Sequence, residues 1–414
     1  MSEKKNPMSN APRNFRPEPY GYHEEIELDI ETLTNMGQGL GRIDDWVVMV
    51  RFALPGERVR ARVYRNDKNF SEADLVEVIK PSPQRIIPPC PVFTECGGCQ
   101  YQHFEYSSQL EWKTKQVKEL LWHMVRIEHP VLPAIASPKQ YGYRSKLTPH
   151  FEVPRKGRPM TIGFLKAGTR SRHVEVEQCP LISDAMNETL TAVRAETYAR
   201  QETKPFKKGG TLLIREHLDG VTTDPKETIR ERVGDITFSF IAGEFFQNNP
   251  SILPVFTSYV RDKARDAGAK YLVDAYCGSG LFTLTAAQDF KQVVGVEVSE
   301  QSIEYAKRNA EDNQIENAAF VLGDAASIFE QIEFPGDESA VVIDPPRKGS
   351  SEDFLTQLIA FGPRSVIYVS CNPATQMRDL QVLLGGGYEI EEIQPFDLFP
   401  QTRHLECVVV LKRV

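Results

Sequence analysis

The chain has 414 residues, 41% of them hydrophobic and 26% charged, with a formal charge of −8. That length suggests two or three domains with ample core, and the acidic balance argues weakly against nucleic acid. No apolar run approaches the ~20 residues of a membrane span, and residues 1–16 are polar without a secretory core. A cytoplasmic protein is therefore expected, with its seven cysteines reduced, catalytic or metal-bound rather than paired.

Residues 1–20 read as a disordered tail. Over 21–82 short β-like runs follow one another: Glu25–Ile30, Trp46–Val50, Glu57–Val63 and Glu72–Val78. The turns Gly37-Gln-Gly39-Leu-Gly41 and Pro55-Gly56 separate them, which predicts a small barrel of the OB type. Prolines 81, 83, 88 and 89 link it to a central α+β domain over 83–245, which opens on Cys90-x5-Cys96-Gly-Gly-Cys99 and holds a lone Cys179. Two paired C-x2-C motifs of a zinc ribbon are not present, and the triplet is too loose for a radical enzyme. A 4Fe–4S cluster on four thiolates fits these cysteines better.

Ser107–Arg126 reads as an amphipathic helix, with Leu110, Val117, Leu120 and Leu121 at helical spacing, and a second helix is expected near Ser183–Arg200. The net charge hides a basic block. From Lys139 to His173 nine Lys/Arg (139, 144, 146, 155, 156, 158, 166, 170, 172) face one acid, Glu152. Interleaved with Tyr141, Tyr143, Phe151 and Phe164, the block has the makings of a phosphate-tracking surface with stacking platforms, or of an ordinary solvated face.

From residue 246 the pattern turns to strands alternating with helices, the mark of a doubly wound sheet. Five apolar runs each end in a polar residue: Tyr271–Asp274, Val293–Glu297, Ala319–Asp324, Ala340–Asp344 and Val366–Cys371. Chemistry in such sheets lies outside the carboxyl ends of the strands. The turn after the first run, Tyr276-Cys277-Gly278-Ser279-Gly280, admits a close ligand, but Thr283 stands where a dinucleotide fingerprint has its third glycine. With Glu297 placed for ribose hydroxyls and an acidic rim suited to a cation, S-adenosylmethionine (SAM) fits. Asp344-Pro345-Pro346-Arg347 makes a stiff wall without the aromatic that amine methylation favours, so a carbon target is expected.

Cys371 in Ser370-Cys371-Asn372-Pro373 is either a small apolar filler or a nucleophile on this edge. The segment Asp397–Thr402 is too short for a crossover helix, so the last strand must pair antiparallel and bring Glu406 back to the rim. There it becomes a candidate general base. Cys277 and Cys407 read as packing residues.

These pieces resemble the 5-methyluridine RNA methyltransferase family of the bacterial ribosomal-RNA type. The matching segments are Phe245-Phe246-Gln247-Asn248, Asp274–Gly280, Asp344-Pro-Pro-Arg, Ser370-Cys-Asn-Pro and His404-Leu-Glu406. The resemblance implies a class I SAM-dependent (Rossmann-like) methyltransferase domain over 246–414, and a TRAM domain as the barrel at 21–82. By position, Gln247, Tyr276, Glu297, Asp324 and Asp344 would contact SAM, with Cys371 as nucleophile and Glu406 as base. Cys90, Cys96, Cys99 and Cys179 would hold the 4Fe–4S cluster. The expected partner is structured RNA, 23S ribosomal RNA first and the transfer-RNA T-loop second, acted on by a monomer. A catalytically inactive RNA-binding protein and a nicotinamide oxidoreductase are the rivals from other classes; the intact Cys371/Glu406 pair speaks against the first, Thr283 and the acidic rim against the second.

Overall fold

The computed structural model describes residues 11–154, 159–323 and 328–414. The chain divides into two compact units. One comprises the residues up to Trp112 with Lys166–Arg170 and Gln401–Arg403; the other comprises Lys113–Leu165, Ser171–Pro400 and His404–Val414. No helix among the described residues is long and apolar enough to cross a membrane.

In the first unit, β1 (Glu25–Asp29), β2 (Thr32–Leu33), β3 (Gln38–Ile43), β4 (Trp46–Arg51), β5 (Arg58–Asn66) and β6 (Phe70–Lys80) form one sheet. Its order is β1-β5-β6-β4-β3-β2. Alternation sets the faces. β5 buries Val59, Ala61 and Val63, while Arg58, Arg60 and Arg62 pair outward with Asp29, Glu77 and Glu25. The glycine run expected as a turn is strand β3. Only Gly37, at φ +77°, turns; a Cβ on Gly41 would lie 2.1 Å from the Asp29 carbonyl, so these glycines permit close backbone approach. The first ten residues of the expected tail lie outside the described residues, and the Asn66 amide donates to the Arg16 and Tyr20 carbonyls, both at 2.7 Å.

The helix α1 (Tyr106–Leu120) runs on into a π-helical turn over Leu121–Val125 and stops at left-handed Arg126. Next come β7 (Lys146–Leu147), β8 (His150–Glu152), β9 (Thr161–Leu165), β10 (His173–Glu175) and α2 (Asp184–Thr203), the last capped by the Ser183 hydroxyl. β11 (Gly210–Thr211), β12 (Ile214–His217), β13 (Gly220–Thr222), β14 (Thr228–Val233) and β15 (Ile236–Ile241) complete small antiparallel sheets. Tyr143 and Phe151, expected as stacking platforms, are instead buried, and the Tyr143 hydroxyl donates to the Pro400 carbonyl at 3.0 Å. Arg155, Lys156 and Arg158 of the basic block lie outside the described residues.

The large sheet follows. Its strands are β16 (Tyr271–Ala275), β17 (Gln292–Glu297), β18 (Ala318–Leu322), β19 (Ser339–Ile343), β20 (Ser365–Ser370), β21 (Tyr388–Phe396) and β22 (Glu406–Arg413). Around them lie α3 (Leu253–Asp266), α4 (Leu281–Ala286), α5 (Glu300–Asp312), α6 (Glu352–Phe361) and α7 (Pro373–Gly385). The order is β18-β17-β16-β19-β20-β22-β21, parallel except for β22. β19 and β20 are buried along their whole length, as strands covered on both faces must be.

Candidate active site

The antiparallel return of β22 sets the centre of the site. Ser370 pairs with Cys407, so continuing the register by one residue places Cys371 opposite Glu406. From α7, the Gln376 amide donates to the carbonyls of Tyr368 on β20 (2.8 Å) and Cys407 on β22 (3.0 Å), stapling the two strands. The connection before β22 is held by α1. Lys113, fully buried, donates to Asp397 at 2.6 Å and to the Phe399 carbonyl at 3.2 Å. One turn earlier on α1, Gln109 exchanges two hydrogen bonds with Gln401, at 3.0 and 3.1 Å.

The electrostatics centre on Asp344, Cys371 and Glu406. Glu406 is buried, and its Oε2 has no hydrogen-bond partner among the described residues. Burial and then the Asp344 charge push its carboxyl well above the usual range, with Arg347 opposing. Desolvation, followed by the Asp274 charge, lifts Asp344 to about 7. The Cys371 thiol is pushed up to about 11 by burial and then by Glu406 and Asp344. Arg347 pulls the other way, by charge and by a hydrogen bond to the sulfur. Three groups that repel one another's charges do not ionise independently, so the pocket holds protons back until a ligand changes the balance.

Arg347 had no role assigned from sequence. Its carbonyl is fixed by the Asn372 amide (3.0 Å) and the Thr375 hydroxyl (3.2 Å), so the Asp344–Arg347 loop is tied to the start of α7. The available signal was its position, three residues past the strand-end Asp344.

The cofactor side is built on the β16–α4 turn. Tyr276 sits at φ +69°, an unusual value for a non-glycine residue, with its ring 5.4 Å from Phe354. A Cβ on Gly278 would meet nothing within 4 Å, so open space faces the backbone there. Glu297 accepts from the N–H groups of Gly278 (3.2 Å), Val298 (2.8 Å) and Ser299 (3.0 Å). A carboxylate offers about four acceptor sites, which leaves capacity for a ribose hydroxyl. The turn and the oriented acid thus fit an adenosine. Asp274 lies inside β16, buried, accepting from the Thr283 N–H (2.8 Å) and hydroxyl (2.7 Å), and desolvation raises it to about 7. Thr283 is therefore structural where a dinucleotide fold would carry glycine. Gln247 is buried in the Phe245–Asn248 approach, two residues before Asn249, whose amide holds Ser137 and the Leu398 carbonyl, both at 3.0 Å. Asp324 lies outside the described residues. Cys277 and Cys407 are buried packing residues.

The candidate cluster cysteines fall in both units. Around the first three, N–H donors point at sulfur: Val92 and Phe93 to Cys90, Gly98 to Cys96, and the Gln102 amide to Cys99 at 3.1 Å. Such donors suit thiolates of a cluster. Yet Cys179 belongs to the other unit, its backbone bonded to Asn187. Among the described residues no group of three or more His, Cys, Asp or Glu is arranged to hold a metal ion.

Comparison with known proteins accords with this geometry. Residues 222–414 match the family model "tRNA (Uracil-5-)-methyltransferase", and residues 23–76 match the TRAM domain. A tRNA (uracil(54)-C(5))-methyltransferase of Schizosaccharomyces pombe is 43% identical over 96% of this chain and 80% of its own length. The protein of that name from Saccharomyces cerevisiae is 35% identical over 95% of this chain and 74% of its own. The crystal structure of Pyrococcus abyssi tRNA (uracil-54, C5)-methyltransferase with S-adenosyl-L-homocysteine superposes with a TM-score of 0.71 at 25% identity, covering 93% of this chain and all of that one. The chain belongs to the tRNA (uracil-5-)-methyltransferase family, RNA uracil-C5 methyltransferases that use SAM, and carries a TRAM domain.

Proposed function

We propose that the protein methylates C5 of a uridine in the T-loop of transfer RNA, using Cys371 as nucleophile and Glu406 as base. The observation that carries the chemistry is the β20–β22 register, which sets a thiol opposite a buried carboxylate. Uracil C5 is a poor nucleophile. Addition of the Cys371 thiolate to C6 breaks the C5–C6 double bond and leaves an enolate able to attack a methyl group at C5. SAM would supply that methyl on a sulfonium, whose S–CH3 bond breaks to leave the neutral thioether S-adenosylhomocysteine. Glu406 then takes the C5 proton, the double bond re-forms and the C6–S bond breaks, returning Cys371. Arg347 favours the thiolate, while Tyr276, Glu297, Asp344 and Gln247 hold and orient the donor. The target leaves its stack at a cost of about a few kcal/mol.

The activity named for the two yeast relatives supports transfer RNA over the ribosomal RNA that the motif set first pointed to. RNA carrying 5-fluorouridine, which has no C5 proton to lose, should form a stable adduct with the wild type and none with Cys371→Ala. A Cys371→Ala protein that still forms the adduct would remove the assignment. For the substrate, 5-methyluridine should vanish from transfer RNA of a deletion strain; its loss from ribosomal RNA alone would reverse the choice.

A 4Fe–4S cluster on Cys90, Cys96, Cys99 and Cys179 is a further part of this reading, supported by cysteine spacing and by the N–H donors around the first three. Anaerobically purified protein should contain about four iron and four sulfide per chain. Protein free of iron that still folds and binds RNA would eliminate the cluster.

A further inference from the structure

Apart from Cys371, the second unit carries a cleft of about 670 Å³. It lies among the C-terminal part of α2, the Phe206–Leu213 segment, Lys146 on β7, and Pro225 and Gly243. Its size falls within the roughly 300–1,000 Å³ usual for small-ligand pockets, room enough for a nucleotide. One wall is aromatic and cationic. Phe206 packs against Phe151 at 4.6 Å between ring centroids with the rings tilted by 51°, and the Arg200 guanidinium lies 4.7 Å from the Phe206 centroid. Gly210 keeps the backbone down on this wall, since a Cβ there would lie 2.9 Å from the Phe151 ring.

Charge on and beside the cleft is mostly positive. Lys146 and Arg200 line it against Glu196, and Lys204, Lys207 and Lys208 stand exposed on the segment that carries Phe206. Lys146 also connects the cleft to the reactive end of the unit. Its amine donates to the carbonyls of Gly243 (2.6 Å) and Glu244 (2.8 Å), immediately before Phe245, which is 73% exposed, and buried Gln247. Three residues separate Gly243 from Gln247, and the four steps between them span at most about 14 Å.

We propose that this cleft is a second nucleotide subsite. It takes one unstacked nucleotide of the RNA substrate other than the methylated uridine, with the base against the Arg200–Phe206 wall and flanking phosphates on Lys146, Lys207 and Lys208. The proposal rests on RNA being the substrate, as proposed above, and deepens it. An aromatic-cationic face accepts any base, and lysines answer the phosphates on either side. Phe245, exposed on the approach segment, offers the strand a further platform on its way to the site.

The test is a coupling measurement by equilibrium binding. A T-arm hairpin RNA and a series with a single abasic position are titrated against wild type, Arg200→Ala and Phe206→Leu. Leucine keeps apolar packing on Phe151, and Arg200 is exposed, so both variants are expected to melt near wild type. Each variant should weaken the intact hairpin about tenfold, the size of one lost base–aromatic stack, and leave SAM affinity unchanged. One abasic position outside the target should cost wild type about tenfold and cost Arg200→Ala nothing further. Penalties that add at every position, or unchanged affinity in both variants, would overturn the subsite. A loss traced only to a smaller salt slope would do so too, making the patch a backbone contact. A cleft that serves a protein partner would leave hairpin affinity intact and counts equally against it. Adduct formation at Cys371 is read separately, so failure of the methylation chemistry is distinguishable from failure of the cleft.

Discussion

At the level of single residues the site is a problem of proton control. Cys371 is half-buried beside two carboxyls and its thiol is pushed up to about 11, so the ligand-free enzyme holds it protonated at neutral pH. Thiolate grows as pH rises, and the rate of 5-fluorouridine adduct formation should therefore climb across the alkaline range. Arg347 is the group that opposes the rise, and Arg347→Gln should shift that limb about one pH unit upward, a roughly tenfold slower adduct at a fixed pH below it. An unshifted limb would show that Arg347 does not reach the thiol. Glu406→Gln should still form the adduct with ordinary uridine RNA but fail to resolve it, with turnover down by about 10²–10⁴ and a covalent complex visible on a denaturing gel. Rapid turnover without a trapped complex would assign the proton to another base. Asp274 gives a stability test. Its folded value is about 7 against 3.8 unfolded, so its contribution is fully present below pH 3.8 and is lost as pH rises through about 7. Asp274→Asn should therefore gain in melting temperature over wild type at pH 8 compared with pH 4; a constant difference across that range would refute the shift.

Much of this was legible in the residues. Cys371 and Glu406 stand beside apolar runs whose direction follows from connection length, so both could be placed on one rim. Arg347 was not legible, because an arginine between a proline and a lysine reads as a solvated charge until the fold sets it beside the sulfur. Asp274 read as a rim acid, but burial and Thr283 make it a structural group.

At the level of elements, two ion pairs, one half-buried at its arginine and one fully buried, fix segments that their sequence left undefined. Glu57 on the turn before β5 is fully buried and takes Arg85 at 2.6 and 2.8 Å, along with the N–H groups of Leu54 and Ser82. It ties the barrel to the stretch that leads into the cysteines. Lys113 and Asp397 do the same for the connection before β22. Removing one partner leaves an uncompensated charge, so Arg85→Ala and Lys113→Ala should each cost about 3–5 kcal/mol of stability in denaturant melts. Losses below 1 kcal/mol would mean that water replaces the partner at no great cost. Strands with strong β alternation could be found by pattern, whereas β3 could not: its glycines mimic a turn, and only the nearness of Asp29 and Ala53 shows why side chains are excluded. The two- and three-residue strands between β7 and β13 escaped for a similar reason, since pieces so short carry no period of their own.

At the level of the whole molecule, sequence order and assembly order diverge. The basic block expected as one surface contributes Lys166–Arg170 to one unit and its other described residues to the other. Positive charge at the proposed subsite joins Lys146 of that block to a different stretch, 200–208, so clustering along the chain was only a partial guide to clustering in space. The register of β22 has a consequence for synthesis. This strand is the last described element, yet it lies between β20 and β21 in the middle of the sheet. A nascent chain that has not yet released it from the ribosome presents two raw strand edges at once, and raw edges recruit other chains. Cys371 and Glu406, the nucleophile and base proposed above, come opposite each other only when that gap closes. A chain stopped before β22 is thus expected to be an inert fragment with open strand edges rather than a slow enzyme.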